Sequence, residues 1–542
     1  MLRFLAEKFP LACASDEFFF FPHYKSPDQN WKSWDNFTED SVAETCNYLS
    51  SFESAIGKYH NLKINWYEPQ GKPWTLISGA SPGELDQTFL SAEAEREGGL
   101  NRTDKSDIRL LSCFSRTLRE QLSEYKTWKK QPSFYLTLAG FGLEQALASK
   151  NPDAIHDRAS GLPAFLDQAR INLSGIPEIY ADIARKMLLD ISEFIHSLVS
   201  EVPELIFALP ALERFNDSMS RQIQPGEQSI LPVEAYERSL KDHLAMDLDL
   251  KEIEEILDNE YRETHHQLEQ LARKLSSRKR KDVITVNWTD TYRNLPEPDI
   301  KAINKTILYS SEIKSLRLHC CNQGLIHDKI DERCQVNVSS LPSYLSAIRS
   351  ASSYSISPDS PVTGGTFFVL ENLQSDDQYQ EDLREYRMLT AHETWPGHHL
   401  LDACRLNLVR STRRFLEQPL FYEGWACFAE ELCGMTGYFS SPEDRLIRLK
   451  RRFWRAARGK ADIGLNTGKM NILSAGEYLK RAGVPVEQAL SSVRKYTLNP
   501  GYQLCYTLGL VKFLELFKYH SQLSLPGFVK KVLTNGETFQ FI

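Results

Sequence analysis

The 542-residue chain has no apolar run approaching the roughly 18 to 20 residues that a membrane helix needs, so no spanning segment is expected. A secretory leader is not expected either. The stretch Met1-Leu-Arg-Phe-Leu-Ala-Glu-Lys-Phe-Pro10 puts Glu7 and Lys8 where a leader would need its apolar centre. CxxC pairs are missing: the 10 cysteines are scattered without regular spacing, so reduced thiols in the cytoplasm are expected, most of them simply packed. Positive charge is not in excess. A net charge of -8 gives no general pull toward nucleic acid or an anionic membrane, so neither is expected as a partner. The basic runs Arg278-Lys-Arg-Lys281 and Arg448-Leu-Lys-Arg-Arg452 carry no interleaved aromatic repeat and read largely as solvated helix surface. His265-His266 has no spaced carboxylate or cysteine partner and reads as surface. Internal repeats, low-complexity tracts and a clear linker are all absent.

What is present is helical texture. Leu110, Leu111, Phe114, Leu118 and Leu122 recur at helical spacing, as do Ile253, Ile256, Leu257, Tyr261, Leu268 and Leu271. Pro82, Gly83, Gly98 and Gly99 punctuate a loop. Around Asp331 to Tyr354 the texture changes, and Thr363-Gly-Gly-Thr-Phe-Phe-Val-Leu370 reads as a short strand after a glycine turn. That strand is either an open edge able to pair with an extended peptide or part of a packed hairpin.

The chemistry concentrates in Thr390-Ala-His-Glu-Thr-Trp-Pro-Gly-His-His-Leu400, where three of the 13 histidines fall between His392 and His399. Phe421-Tyr-Glu-Gly-Trp-Ala-Cys-Phe-Ala-Glu-Glu431 follows as a carboxylate-bearing helix. Neutral imidazoles with a carboxylate suit Zn²⁺, and His392 and Glu423 fit as ligands. Pro396 stands where a simple His-Glu-x-x-His motif would have its second histidine. On a straight helix His398 would lie about 120° round and 9 Å along from His392, and His399 about 10 Å along. A bulge at Pro396-Gly397 is therefore expected to return one histidine to His392. His398 is the favoured ligand and His399 the alternative.

These segments resemble a known family. His392-Glu-Thr-Trp-Pro-Gly-His-His-Leu400 resembles the HExxPGHHLQ signature of the bacterial domain of unknown function 885, and Glu423-Gly-Trp-Ala-Cys-Phe-Ala-Glu430 its EGWAxYxE signature. Arg455-Ala-Ala-Arg458 with Asp462, Gly464 and Asn466 resembles RAxRxxxDxGxH, and the segment from Pro500 to Gly509 resembles PGQALSYKxG. Asn466, Tyr502, Thr507 and Leu401 depart from these patterns, and most of the four are expected near the substrate. The family looks like a relative of helical zinc peptidases, among them thermostable carboxypeptidases and peptidyl dipeptidases.

The resemblance implies a mainly α, large two-lobed, zinc-peptidase-like fold with a small β element beside the active-site helix. Residues 1–330 are expected as a mostly helical N-terminal lobe and 331–542 as the metal-binding catalytic region of one cooperative unit. It implies Glu423 as a ligand and Glu430 as a carboxylate that orients a histidine. Glu393 is expected as general base for a metal-bound water, Tyr506 as an oxyanion donor, and Arg455, Arg458 and Tyr502 as substrate contacts. An arginine near the metal could clamp a free C-terminal carboxylate. The expected substrate is a peptide; a non-peptide amide, or a binding protein that keeps an idle zinc, are the alternatives.

Overall fold

The computed structural model describes residues 1–26, 30–60, 102–224, 232–245, 248–279, 287–295, 304–326, 330, 334–346, 349, 352–356, 364–371, 376–408 and 411–535. The loop expected at Pro82 to Gly99 lies outside them, as do the side chains of Arg278-Lys-Arg-Lys281. The protein is mainly α. Its first part holds α1 (Leu2–Lys8), α2 (Pro10–Ala14), α3 (Glu39–His60), α4 (Arg102–Glu120), α5 (Pro132–Ala148), α6 (Pro152–Asn172), α7 (Glu178–Leu198) and α8 (Ala208–Arg221). Then come α9 (Val233–Leu244), α10 (Leu250–Lys279) and α11 (Lys305–Asn322), three strands β1 (Val336–Ser340), β2 (Ser353–Ile356) and β3 (Gly365–Val369), and the C-terminal helices. These are α12 (Asp376–Glu393), α13 (His398–Arg405), α14 (Pro419–Met435), α15 (Pro442–Asn466), α16 (Ile472–Arg481), α17 (Val486–Tyr496), α18 (Leu504–Tyr519) and α19 (Leu525–Asn535).

Local chemistry sets several boundaries. α6 starts where the Asn151 side chain accepts from the Asp153 and Ala154 N–H groups, and α15 where Ser441 and Asp444 form a reciprocal cap. Amphipathic faces then pack into two large cores. One runs from Leu5 to Met219 and also takes in Tyr344, Leu345 and Leu416. The other runs from Leu268 to Leu533. A smaller cluster joins Tyr236, Leu240 and Leu257 to Leu420, Ile463 and Leu508. Residues from Leu268 to Cys320, assigned by sequence to the N-terminal lobe, pack with the second core because their apolar stripes face Met388, Phe428 and Phe453 in that cluster.

The strand expected at Thr363 to Leu370 is β3, and it is the middle strand of a sheet ordered β1-β3-β2. β1 pairs with it in parallel and β2 antiparallel, so both of its edges are taken. The edge that faces the site belongs to β2. All ten cysteines are free, and no helix among the described residues is long and apolar enough to cross a membrane.

Candidate functional site

α12 ends at Glu393 and α13 begins at His398, so the expected bulge is a full break between two helices. Gly397 makes the turn possible: a Cβ there would stand 1.7 Å from the His392 carbonyl oxygen. Trp425 of α14 fixes the break by donating its indole N–H to the carbonyls of Pro396 (3.0 Å) and Gly397 (3.2 Å). The ring of His398 thereby comes within 4.9 Å of the ring of His392 and stacks on Tyr422 at 4.1 Å.

α14 brings the carboxylate. It crosses α18 where two glycines touch, since a Cβ on Gly424 would meet Gly509 Cα at 2.6 Å. This close approach seats the segment around α18 against Glu423, whose Oε1 accepts from the Tyr502 hydroxyl at 2.8 Å. Glu423 Oε2 lies 3.5 Å from Nε2 of His392 and 3.5 Å from Nε2 of His398. It is buried and has no hydrogen-bond partner. One ligand atom from each of His392, His398 and Glu423 lies within 4.8 Å of the others, the one such group found among the described residues. An orphaned, buried carboxylate oxygen facing two imidazole nitrogens fits a divalent cation.

His399 turns away from this group. Its Nδ1 lies 2.9 Å from the Tyr354 hydroxyl and its Nε2 3.3 Å from the Cys334 carbonyl. Burial lowers its pKa to about 4, so the ring is neutral, donating to the carbonyl and accepting from the phenol. Glu393 Oε2 accepts the Tyr354 N–H at 2.9 Å, which ties β2 to the end of α12.

Behind His392 stands a run of paired charges. Glu430 Oε1 is 3.2 Å from His392 Nδ1 and takes a 2.6 Å hydrogen bond from Arg455. Arg451 grips Glu430 with two prongs, at 2.9 and 3.1 Å, and reaches Glu385 at 2.7 Å. Lys450 joins Glu385 at 2.7 Å and also binds Glu381. Burial alone would raise the pKa of Glu430, but the charges of Arg451 and Arg455 hold it well below the usual carboxylate range. Glu385 is pulled down to about 2 against its burial by Lys450 and Arg451.

The basic run Arg448 to Arg452 is therefore not a solvated face: Lys450 is 1 % exposed and Arg451 4 %. Sequence reasoning missed Arg451, Glu385 and Tyr422. The first of these had a signal, because Arg451, Arg455, Arg458 and Asp462 fall at i, i+4, i+7 and i+11 along one helix face. Arg455, expected against substrate, has its guanidinium committed to Glu430.

The site opens on a cavity of about 400 Å³ that both cores line, with Phe18 and Phe134 from the first, Tyr506 from the second, and the charged groups Glu17, Glu393 and Arg458. The Tyr506 ring lies 6.4 Å from the His392 ring. Of the four departures from the family signatures, Tyr502 lines the cavity and the other three do not. Asn466 donates to the Asp462 carboxylate at 2.9 Å, and Thr507 and Leu401 are packed inside. Asp462 in turn accepts from the Gly501 and Gln503 N–H groups, so this corner shapes the loop that carries Tyr502.

Fold and site together define a mainly helical protein with a buried two-histidine, one-glutamate centre opening on a cavity shared by two cores. The chain belongs to the family of bacterial proteins of unknown function DUF885, whose model matches residues 84–538. Its fold is similar to that of a lipoprotein candidate of unknown function from Shewanella oneidensis, with 16 % identity, a TM-score of 0.66, and coverage of 92 % of this chain and 98 % of the other. A lipoprotein candidate from Colwellia psychrerythraea gives 15 %, 0.62, and coverage of 99 % and 96 %. The carboxypeptidase of Pyrococcus furiosus in its apo-Mg form gives 13 % and 0.38, with 91 % and 88 % covered. No curated protein matches the sequence.

Proposed function

We propose that this chain is a zinc-dependent hydrolase of peptide or amide bonds. The observation that carries the reading is the convergence of His392, His398 and the unpartnered Glu423 Oε2, with Glu393 next in sequence on the cavity wall. Two ligand atoms about 2.0 to 2.1 Å from one zinc at a tetrahedral angle lie about 3.4 Å apart, close to the 3.5 Å that separates Glu423 Oε2 from each imidazole nitrogen. Zinc held there would lower the pKa of a water toward about 7 and polarise the substrate carbonyl.

The chain's own residues supply the rest. Glu393 has one carboxylate oxygen fixed by the Tyr354 N–H, which leaves the other to take a proton from the attacking water and return it to the leaving amine. Tyr502 steadies Glu423 through its 2.8 Å hydrogen bond. Tyr506, on the cavity wall, would donate to the developing oxyanion. Glu430, charged and clamped by two arginines, fixes the ring of His392.

The test is metal content and turnover of a peptide library on native protein and Glu393→Gln. Native protein is expected to carry about one zinc per chain and to cleave peptides, and the variant to keep its metal while losing at least about 100-fold in rate. Native protein that cannot be loaded with metal, or a variant as active as native, would overturn the reading. Cleavage of a small amide with none of any peptide would transfer it to a non-peptide substrate.

A further inference from the structure

The cations on the cavity wall divide into two kinds. Arg349 is paired with Glu17, Lys450 with Glu381 and Glu385, Arg451 with Glu385 and Glu430, and Arg455 with Glu430. Arg458 and Lys495 have no carboxylate within ion-pair distance among the described residues. Arg458 gives two of its N–H groups to Gln503 Oε1, a neutral acceptor. Lys495 donates only to the backbone carbonyls of Arg349 (2.8 Å) and Ser346 (3.3 Å). Leaving a guanidinium 8 % exposed without a counter-ion is costly unless an anion arrives to complete it.

The surroundings of Arg458 are those of a recognition group. Its guanidinium lies 4.2 Å from the centre of the Tyr506 ring, 4.5 Å from Trp454 and 5.2 Å from Tyr496, which hold it flat and keep water from it. The centre of the same Tyr506 ring lies 6.4 Å from the His392 ring, so the guanidinium is at most about 10.6 Å (4.2 plus 6.4) from the ring of a candidate metal ligand. That span has room for about one residue of extended chain, roughly 3.6 Å, plus the length of a salt bridge, between a scissile carbonyl at the metal and a carboxylate on Arg458.

We infer that Arg458 is the anchor for the free C-terminal carboxylate of the substrate, so that the enzyme removes single residues from the C-terminus of short peptides. This rests on the hydrolase reading for its leaving group, though the anion site can be tested without turnover. Arg455, on the same helix face, is excluded by its pairing with Glu430.

The test is calorimetric binding of N-acetyl-leucine and N-acetyl-leucinamide to the zinc-loaded protein, native and with Arg458→Gln or Arg458→Lys. Native protein is expected to bind the acid about 10- to 100-fold more tightly than the amide. The preference should vanish in Arg458→Gln and shrink in Arg458→Lys, which keeps the charge but loses the planar fork. Equal binding of acid and amide by native protein overturns the inference, and so does an undiminished preference in either variant, which would put the carboxylate on the metal. Peptide hydrolysis that persists without any acid preference sinks the anchor alone. A clear acid preference with no peptide cleaved keeps the anchor and sinks the hydrolase.

Discussion

Neighbouring positions on one face of the same helix, α15, treat their charges in opposite ways. Toward His392, Arg451 and Arg455 meet Glu430 and Glu385 in a closed network in which each buried cation has a carboxylate. Arg458, further along, meets the Gln503 amide oxygen and tyrosine and tryptophan side chains, with no carboxylate in direct ion-pair contact among the described residues. A closed network fixes geometry, because moving any member leaves another charge buried and alone. An open cation keeps its strongest interaction in reserve for a ligand. The comparison separates groups that hold the site from groups that await substrate.

The largest effect should come from breaking the closed side. Glu430→Gln leaves Arg451 and Arg455 short of a carboxylate, and urea unfolding should register a loss of about 3 to 5 kcal/mol. Metal content should fall with it, since His392 loses the group that orients its ring. A loss below about 1 kcal/mol would mean that the network is solvated after all.

Two lysines, Lys450 buried and Lys495 half-buried, extend the contrast into pH. Burial, then the nearby charge of Lys186, lowers Lys495 from 10.5 to about 7. Between about 7 and 10.5 the unfolded chain binds a proton that the folded chain does not, so this group makes stability rise with pH across that window. Burial would lower Lys450 as well, but Glu381 and Glu385 raise it above 10.5. Its contribution is complete below 10.5 and is lost as pH rises through the higher folded value. Stability measured from pH 7 to 10 should therefore flatten in Lys495→Met, whereas Lys450→Met should lower stability across the same range. The same slope in native protein and Lys495→Met would remove Lys495 from the open side.

The smallest effect is expected from Arg458→Gln on folding itself. Only hydrogen bonds to a neutral acceptor and ring contacts are lost, so urea unfolding should change by about 1 kcal/mol or less, even though acid recognition collapses. A loss as large as that of Glu430→Gln would place Arg458 among the structural charges.

How much of this could be read from the sequence depends on how local each cause is. The helical class follows from periodicity, and the candidate donor types follow from the residues between His392 and Glu423. His398 was favoured over His399 from the Pro396-Gly397 break, and the structure brings His398 to His392; what was not readable is the path through Gly397 that decides it, held by Trp425 some 28 residues away. Burial of Lys450 and Arg451 was hidden for the same reason: Glu381 and Glu385 are 69 and 65 residues from Lys450 in sequence. A strand was legible at Gly365 to Val369, yet its place in the middle of the sheet was fixed by β1 and β2, whose short polar sequences carry weak signals. Nothing in Glu17 or Phe18 marked them as cavity wall.

The shared cavity also bears on biosynthesis. His392, His398 and Glu423 leave the ribosome well before Tyr502 and Tyr506, and Gly509 must follow before α18 can dock on α14. A nascent chain therefore carries the three donor side chains for about 80 residues of further synthesis without the wall that encloses them, since elongation proceeds N- to C-terminally at roughly 5 to 20 residues per second. On this ordering, the proposed metal would be enclosed late in the making of the protein, and a fragment released before Tyr506 would hold the donors but not the chamber.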